Sequence, residues 1–202
     1  MNEKELYSKL IIIGKDKELW LESIDFLGSL IDNPSYKIRA KVLWILGEIG
    51  LKNPDKIKPY VKDIAQNLDS PDGKIRERSI TALGRIGRGD YKLICPYFDN
   101  IIKMHNDKNA NVRMSFIWAC ENIATNNPEL FKDKMDIFAN LLFDKNTKVQ
   151  IEAPEIFRVI GKRNGKLVKK YVNVLKEVSE TNKNRVVKVH AKAAIKAINL
   201  SK

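Results

Sequence analysis

The sequence is poor in the residues that build metal sites and disulfide frameworks. Among 202 residues there are only two cysteines, Cys95 and Cys120, and two histidines, His105 and His190. Two cysteines are too few for a disulfide framework, and both lie in apolar helical patterns, so we expect buried free thiols. The histidines lie far apart and have no Cys or acidic partner at ligand spacing. The composition therefore predicts no metal site and no cofactor.

Long apolar runs are also missing. No run approaches the roughly 20 residues that a membrane-spanning helix needs. The short apolar segment at 10–13 follows mixed charges and precedes no small-residue cleavage site, so we predict no signal peptide. The apolar fraction of 44% and the charged fraction of 31% are typical of a soluble globular protein. We therefore expect a cytoplasmic protein without a membrane span.

The sequence lacks nucleotide-binding and catalytic motifs as well. It contains no P-loop, dinucleotide-binding fingerprint or nucleophile elbow. The glycines of the segment 87–89 fit a helix end better than a phosphate-binding loop. These absences predict a protein that is not an enzyme.

One pattern is present in abundance, because it recurs every 37 residues. Residues 74–87 read KIRERSITALGRIG, residues 37–50 read KIRAKVLWILGEIG, residues 111–124 read NVRMSFIWACENIA and residues 148–161 read KVQIEAPEIFRVIG. This period is in the range of two-helix solenoid repeats. Each such helix pair buries its apolar face only by stacking on its neighbours.

The first helix of each repeat has a polar cap followed by apolar columns. An Asp or Asn, a good N-cap residue, recurs at one position of every repeat: Asp16, Asn53, Asp90, Asn127 and Asn164. Three apolar columns follow with spacings of four and three residues, which is one helix face. Trp20 opens the first column, so we predict that it lies in the core. We expect each first helix to be continuous.

The second helices follow the same logic. Their predicted N-caps are in register: Asn33, Ser70, Asp107 and Asp144. We expect the glycines that close the pattern, Gly50, Gly87 and Gly161, to adopt the left-handed conformation that ends many helices. Pro154 should bend or break the second helix of repeat 4, because a proline removes one helical hydrogen bond and its ring crowds the preceding turn.

These features predict an all-α fold, an α-solenoid of five helix pairs with an N-terminal capping helix. We expect a single domain in which three extra residues lie in the polar stretch 179–185 of the last repeat. The predicted boundaries are 1–15 for the cap and 16–52, 53–89, 90–126, 127–163 and 164–202 for repeats 1 to 5.

The core V/I-R-x-x-x-x-x-A/I-L-G-x-I-G, which begins at Ile38, Ile75 and Val112, resembles the HEAT and HEAT-like (phycobilisome-lyase type) repeats. The cap Asp107 and the first-helix prolines Pro59 and Pro96 add to the resemblance, whereas repeat 4 departs from it with Gln150 in place of Arg. The resemblance covers nearly the whole chain. It implies a solenoid whose second helices line a concave face, and most often a binding scaffold.

Some proteins with HEAT folds are enzymes. Deoxyhypusine hydroxylases hold two irons with His-Glu pairs, but here Asn106 follows His105 and Ala191 follows His190. The pattern therefore argues against that activity.

HEAT-like DNA glycosylases use a carboxylate among aromatic and basic residues on the concave face. This chain has Glu48 near Trp44 and Lys41, and Glu152 and Glu155 in repeat 4. No motif of that family surrounds them. DNA glycosylase activity is therefore the least favoured alternative.

The exposed stripe of the second helices is the candidate binding surface, and we call it the second-helix stripe. Trp44 and Trp118 occupy the same column two repeats apart. They either pack over the grooves between repeats or form two aromatic platforms among basic residues. The candidate binding residues are Lys41, Trp44, Arg78, Arg85, Trp118 and Asn122. The neighbouring column of Arg39, Arg76 and Arg113 we expect to bond to loop acids and carbonyls, not to phosphates.

Positive charge is concentrated in the last repeat. The net charge is +12, yet residues 161–202 hold 12 Lys and Arg against 2 Glu. We name the following residues the basic end: Lys162, Arg163, Lys166, Lys169, Lys170, Lys188, Lys192 and Lys196. A solvated terminal cap explains their polarity but not their single sign, so an acidic ligand is the competing hypothesis.

The sequence therefore predicts a non-catalytic scaffold for a protein partner, which the basic residues suggest is acidic. The alternative is a nucleic-acid-binding module that uses the basic end. The sequence leaves the oligomeric state open.

Overall fold

The computed structural model describes residues 1–201 of the 202-residue chain. These residues form helices and turns and contain no strand, as the all-α prediction requires. They divide into two compact units. The N-terminal unit spans Met1–Ile102, and the C-terminal unit begins at Lys103. The division of the chain into a single domain with five repeats stays a prediction.

In the N-terminal unit, α3 packs along α6, and α1 packs on α3 as the expected capping helix. The α-helices of this unit are α1 (Glu3–Lys15), α2 (Ile24–Gly28), α3 (Tyr36–Lys52), α4 (Pro54–Ile57), α5 (Val61–Gln66), α6 (Gly73–Gly89) and α7 (Phe98–Lys103), which contains the unit boundary. Short 3-10 helices cover Lys58–Tyr60, Asn67–Asp69, Tyr91–Leu93 and Cys95–Tyr97.

In the C-terminal unit, α10 packs against both α8 and α12. The α-helices of this unit are α8 (Ala110–Asn126), α9 (Met135–Leu141), α10 (Thr147–Arg163), α11 (Val172–Thr181) and α12 (Arg185–Leu200). Short 3-10 helices cover Met104–Asn106, Pro128–Phe131, Gly165–Leu167 and Lys169–Tyr171.

The first helices are interrupted, so the prediction of continuous first helices is wrong. In repeats 2 and 3 the interruptions contain Pro59 and Pro96, each inside a 3-10 turn. Proline fixes its own backbone angle and has no N–H to donate, so it favours such a break. In repeat 4, α9 begins only at Met135, after the 3-10 helix Pro128–Phe131, which opens with a proline, and a turn over 132–134.

The second helices of repeats 1 to 4 begin two residues later than predicted. Their N-caps are Ser35, Asp72, Asn109 and Asn146, and Asn184 caps the last helix. The residues that we predicted as caps form the preceding turn instead. For example, Asn33 Oδ1 accepts a hydrogen bond from the N–H of Ser35 at 3.0 Å, and Asp144 Oδ1 accepts one from Asn146 at 2.7 Å. A polar turn therefore leads into each cap.

The predicted left-handed glycines are wrong, because the helices continue through Gly50, Gly87 and Gly161. No residue of the described chain has a positive φ. Two of these glycines are sites of close helix approach: a Cβ on Gly161 would lie 2.8 Å from Ile198 Cγ1, and one on Gly50 would clash with Ile86. Their small size, and not their backbone freedom, suits the fold.

Pro154 does not break α10, which is assigned as one helix from Thr147 to Arg163. The predicted break is therefore wrong. A proline in a helix interior costs about 3 kcal/mol, but Pro154 is buried and α10 packs against both α8 and α12. Packing on two sides maintains the helix despite the lost hydrogen bond.

The predicted core is largely confirmed. Trp20 is only 5% exposed, and its Nε1 donates a hydrogen bond to the carbonyl of Ile13 at 2.9 Å. Cys120 is buried as expected, whereas Cys95 is exposed. Cys95 follows the buried Ile94 and opens the 3-10 turn around Pro96, which directs its side chain away from the core.

Two members of the Arg column form the bonds predicted for them, whereas Arg39 Nε has no hydrogen-bond partner among the described residues. Arg76 Nη1 donates to the carbonyls of Ser70 and Pro71 at 2.8 and 3.1 Å. Arg113 is 5% exposed and holds Asp144 of the next repeat through Nε at 2.7 Å and Nη2 at 2.7 Å. Burial alone would raise the pKa of Asp144, but the hydrogen bonds from Arg113 and from the Asn146 backbone lower it. Gln150 occupies the Arg position of the next repeat and forms equivalent links. Its Nε2 donates a hydrogen bond to the Asp144 carbonyl at 2.6 Å, and its Oε1 accepts one from Asn182.

Candidate partner-binding surface

A concave pocket of about 390 Å³ lies on the N-terminal unit between residues of α1, α3 and α6. Three aromatic side chains line it, namely Tyr7, Tyr36 and Trp44. Four cationic side chains line it as well: Lys37, Lys41, Lys74 and Arg78. We call this site the Trp44 pocket, and its lining contains no carboxylate. Of the sequence-predicted residues, it brings together Lys41, Trp44 and Arg78.

The helical repeat explains why the four cations meet. Lys37 and Lys41 are four residues apart on α3, so they lie on one face of that helix. Lys74 and Arg78 have the same spacing on α6 and follow the first pair by 37 residues. Because α3 packs along α6, the two pairs lie side by side. We call these four residues the cation square.

Few acidic side chains neutralise the positive charge of the cation square. Within residues 1–201, Lys37, Lys41 and Arg78 form no ion pair, whereas Lys74 Nζ contacts the neighbouring Glu77 at 2.7 Å. Lys41 Nζ lies 4.2 Å from the centroid of the Trp44 ring, a cation–π contact. Partial burial lowers the pKa of Lys41, and the charges of Arg78 and Lys15 lower it further. An anion is therefore favoured in this pocket.

Trp44 combines the two roles left open by the sequence. It is half-buried, unlike Trp20. Its ring packs against α1, since a Cβ on Gly14 would lie 3.1 Å from Trp44 Cζ3. The remaining surface of the ring lines the pocket. Trp44 is thus both a packing residue and an available aromatic surface.

Arg85 lies outside the pocket and is engaged within the unit. Its Nε contacts Glu48 Oε1 at 2.8 Å, which links α6 to α3. Burial lowers the pKa of Arg85 despite the attraction of Glu48. Glu48, one of the carboxylates considered for glycosylase chemistry, is therefore held in an ion pair.

The second-helix stripe of the C-terminal unit has a different character. Trp118 is half-buried, like Trp44. Asn122 is 7% exposed, and its Nδ2 donates to the Trp118 carbonyl at 2.9 Å, so its amide caps a carbonyl of its own helix. On α10, Glu155 contacts Arg158, and it also lies 3.3 Å from His190 Nδ1. The second-helix stripe of the C-terminal unit is therefore acidic, whereas that of the N-terminal unit is basic.

Glu121 is a functional candidate that our sequence reasoning missed. Its pKa is raised to about 9, first by burial and then by the charges of Glu152 and Glu155. Its Oε1 is buried and has no hydrogen-bond partner among the described residues. The signal in the sequence was the column itself, because Glu121 stands where repeats 1 and 2 have Gly47 and Gly84. This carboxyl is protonated at neutral pH.

The basic end divides into engaged and exposed residues. Arg163 Nε donates to the Thr125 carbonyl at 2.8 Å, Lys188 Nζ donates to the Glu180 carbonyl at 2.7 Å, and Lys170 Nζ lies 3.4 Å from Asp136 Oδ1. The remaining residues are exposed and form no ion pair within the described chain: Lys162, Lys166, Lys169, Lys192 and Lys196.

The described residues contain neither a metal-binding cluster nor a membrane-spanning helix. No group of three or more His, Cys, Asp and Glu side chains in residues 1–201 is arranged to hold a metal ion. No helix in the same part of the chain has the length and apolarity needed to cross a membrane.

Comparison with solved structures defines the class of fold. A designed armadillo repeat protein in complex with the peptide (KR)4 is 21% identical, with a TM-score of 0.76 over 96% of this chain and 91% of that chain. A second designed armadillo repeat protein is 20% identical, with a TM-score of 0.71 and coverages of 98% and 95%. An engineered protein is 18% identical, with a TM-score of 0.69 and coverages of 98% and 97%. The chain therefore has the all-α fold of armadillo and HEAT-type repeat solenoids.

The family follows from the sequence. A family model described as "Sister chromatid cohesion protein PDS5 protein" matches residues 25–200. The chain belongs to this family, which confirms the general resemblance to HEAT-like repeats. No curated protein sequence matches the chain significantly.

Proposed function

We propose that this chain is a non-catalytic scaffold that binds an acidic segment of a protein partner at the Trp44 pocket. The observation that carries the proposal is the convergence of three aromatic rings and four cations, without a lining carboxylate, in one concave site. The fold class and the family support a protein as the partner. One similar solenoid is a designed protein in complex with a peptide, and the family description names a protein of sister chromatid cohesion.

The residue types in the pocket suit this role. Trp, Tyr and Arg are enriched among the residues that dominate the energetics of protein interfaces. Trp and Tyr bury a large area with few rotatable bonds, and Arg offers a planar fork of hydrogen-bond donors. The pocket volume of about 390 Å³ is in the range of sites that enclose a small group. We assign Lys41, Trp44 and Arg78 to partner contact. Arg85 we assign to support of the surface, because it is already paired with Glu48.

In the C-terminal unit we propose Trp118 as a second aromatic contact, with Asn122 holding its helix. We retain three further expectations as part of the proposal. The chain acts as one repeat domain, it is cytoplasmic, and its repeats are of the phycobilisome-lyase type. DNA glycosylase activity has less support, because two of the three carboxylates considered for it are ion-paired, Glu48 with Arg85 and Glu155 with Arg158. The third, Glu152, has a pKa raised by burial and by the charge of Glu155.

The test is binding of two labelled decapeptides, one of alternating Asp and Gly and one of alternating Lys and Gly, measured by fluorescence anisotropy. We expect only the Asp peptide to bind and its binding to alter tryptophan fluorescence. Trp44→Ala should weaken binding roughly tenfold, as the loss of an aromatic anchor does. Equal binding of the two peptides, or an unchanged affinity of Trp44→Ala, would contradict the proposal.

A second candidate function is nucleic-acid binding by the basic end. The observation in its favour is the set of five exposed lysines without an ion pair in the last repeat. Such a surface binds phosphates without reading bases, and its affinity falls steeply with salt.

A further inference from the structure

The cation square has the dimensions of a site for one compact anion. Residues four apart on a helix have Cβ atoms about 5–6 Å apart, and packed helices lie about 8–10 Å apart. The flexible side chains of Lys37, Lys41, Lys74 and Arg78 can therefore converge over one point between α3 and α6. Tyr36 and Trp44 line the same pocket and provide apolar surface beside that point.

The amount of charge distinguishes between anions. A carboxylate brings a single negative charge, whereas a phosphoryl group on a side chain carries about −1.5 to −2 and offers three acceptor oxygens. Three cations of the square have no ion pair in the described chain, and Arg78 adds a planar fork that suits two phosphate oxygens. A phosphoryl group therefore matches this pocket better than one carboxylate does.

The fold does not require the square. In the C-terminal unit the equivalent positions hold Asn111, Ser115, Lys148 and Glu152, and α8 and α10 still pack together. None of the four cations donates to a backbone carbonyl in the way that Arg113 does. Their presence in the first two repeats is therefore explained by a ligand better than by stability.

The arrangement also favours a peptide over a nucleic acid. A single-stranded nucleic acid follows a groove in which cations are spread along the backbone path. In the N-terminal unit Lys37, Lys41 and Arg78, which form no ion pair in the described chain, converge on one pocket. Glu48 occupies the same stripe on α3, which is unfavourable for a continuous row of phosphates.

We propose that the cation square binds a phosphorylated serine or threonine within the acidic segment of the partner, so that phosphorylation strengthens binding. The inference rests on the proposed function, and it adds the chemical group that the pocket recognises. Phosphorylation of the partner would then control its association with this scaffold.

The experiment compares three labelled decapeptides that share an Asp/Gly background and differ only in a central Ser, Glu or phosphoserine. We expect the phosphoserine peptide to bind at least about tenfold tighter than the Ser peptide, since charge-assisted hydrogen bonds are the strong ones, and the Glu peptide to be intermediate. Equal affinities of the phosphoserine and Ser peptides would overturn the inference while leaving the proposed function intact. No binding of any peptide would overturn both.

Variants identify the site. Arg78→Ala and Lys37→Ala should remove most of the preference for phosphoserine, and Arg78→Lys should retain part of it. Lys56→Ala is the matched control, because Lys56 is an exposed cation of the N-terminal unit outside the pocket. Lys37 is exposed too, so its replacement leaves the core unchanged. A preference that survives both alanine variants, or an oligo(dT) decamer that binds the pocket more tightly than the phosphopeptide, would overturn the inference.

Discussion

The two units of this protein carry the same apolar columns and opposite charges beside them. On α3 and α6 the positions around Trp44 are Lys37, Lys41, Lys74 and Arg78. On α8 and α10 the positions around Trp118 include Ser115 and Glu152 instead, and Glu121 and Glu155 lie near Glu152. The tryptophan is common to both units, so the basic pocket differs from the acidic surface in its charged positions and in the tyrosines Tyr7 and Tyr36.

This difference shows how a repeat protein separates stability from recognition. The buried columns are nearly invariant in type because every repeat must stack. The exposed stripe contributes little to stacking and is free to change sign. Predictions that alter one unit and leave its counterpart as a reference therefore test both roles.

The largest expected effect is on stability, in the Arg column. Arg113→Ala should destabilise the protein by about 2–3 kcal/mol, because it removes two charge-assisted hydrogen bonds from the half-buried Asp144 carboxylate. Arg39 is the counterpart in the N-terminal unit, and its half-buried side chain has an Nε without a hydrogen-bond partner. Arg39→Ala should destabilise by no more than about 1 kcal/mol.

Urea denaturation followed by circular dichroism measures both variants. A double replacement, Arg113→Ala with Asp144→Ala, provides the control, since it removes the orphaned charge and should recover part of the loss. Equal effects of Arg113→Ala and Arg39→Ala would show that the two positions of the Arg column contribute equally to the free energy of unfolding.

The next expected effect is a dependence of stability on pH, which Glu121 in the C-terminal unit causes. The pKa of Glu121 is raised from 4.5 to about 9 by burial and by its acidic neighbours. The folded state therefore keeps a proton that the unfolded state loses above pH 4.5. The contribution of Glu121 to the free energy of unfolding should be full below that pH and fall by about 1.4 kcal/mol per unit as pH rises toward 9, a loss of about 2.7 kcal/mol between pH 6 and 8.

Glu121→Gln should remove most of this slope, because the amide is neutral at every pH. The measurement is the free energy of unfolding at pH 6, 7 and 8. Glu177→Gln is the matched control, since Glu177 is exposed on α11 of the same unit. A slope that Glu121→Gln leaves unchanged would show that Glu121 is ionised in the folded protein.

The sequence predicted the repeat, the helix pairs and the core columns, because burial imposes a strict period on apolar residues. It failed where two local signals compete. Asn33 and Asp144 are good caps by type, yet the observed cap lies two residues later in both cases, because a polar turn precedes the helix. Gly50 was read as a helix end, although its use is close packing against Ile86.

The candidate site was only half predicted. Lys41, Trp44 and Arg78 were found because they occupy the exposed stripe. Tyr7 was missed because it lies on the capping helix, outside the repeat register, and only the packing of α1 on α3 brings it to the pocket. Glu121 was missed because its effect depends on burial and on neighbours from another repeat.

Introducing the four cations of the cation square into the C-terminal unit tests whether charge alone accounts for the difference between the units. Asn111→Lys, Ser115→Lys and Glu152→Arg, together with the native Lys148, would place the four cations beside Trp118. We expect the triple variant to bind two acidic peptides in place of one, each within about tenfold of the native affinity, because the charges converge in the same register. The buried Ser115 is the demanding position, where lysine must extend its ammonium to the surface.

Isothermal titration of the Asp/Gly peptide gives the stoichiometry. The control adds Lys41→Glu and Arg78→Glu to the triple variant, which should remove the first site and leave the transferred one. A stoichiometry that stays at one would show that the charges do not suffice, and that Tyr7 and Tyr36 are required in addition.

The smallest effect per residue is expected at the basic end. Lys188→Glu, Lys192→Glu and Lys196→Glu reverse three charges along one face of α12, and they should change stability by less than about 1 kcal/mol because surface charges are weakly coupled. If the basic end binds nucleic acid, the slope of log affinity against log salt for a 20-base-pair duplex should fall by about 0.9 for each lysine that contacts a phosphate.

The matched control reverses three exposed lysines elsewhere in the C-terminal unit, Lys103, Lys108 and Lys132, and so gives the same net charge. Loss of duplex binding only in the α12 variant would assign a polyanion site to the basic end, independent of the Trp44 pocket. An equal loss in both variants would reduce it to a solvated cap, and the basic contribution to recognition would then belong to the N-terminal unit alone.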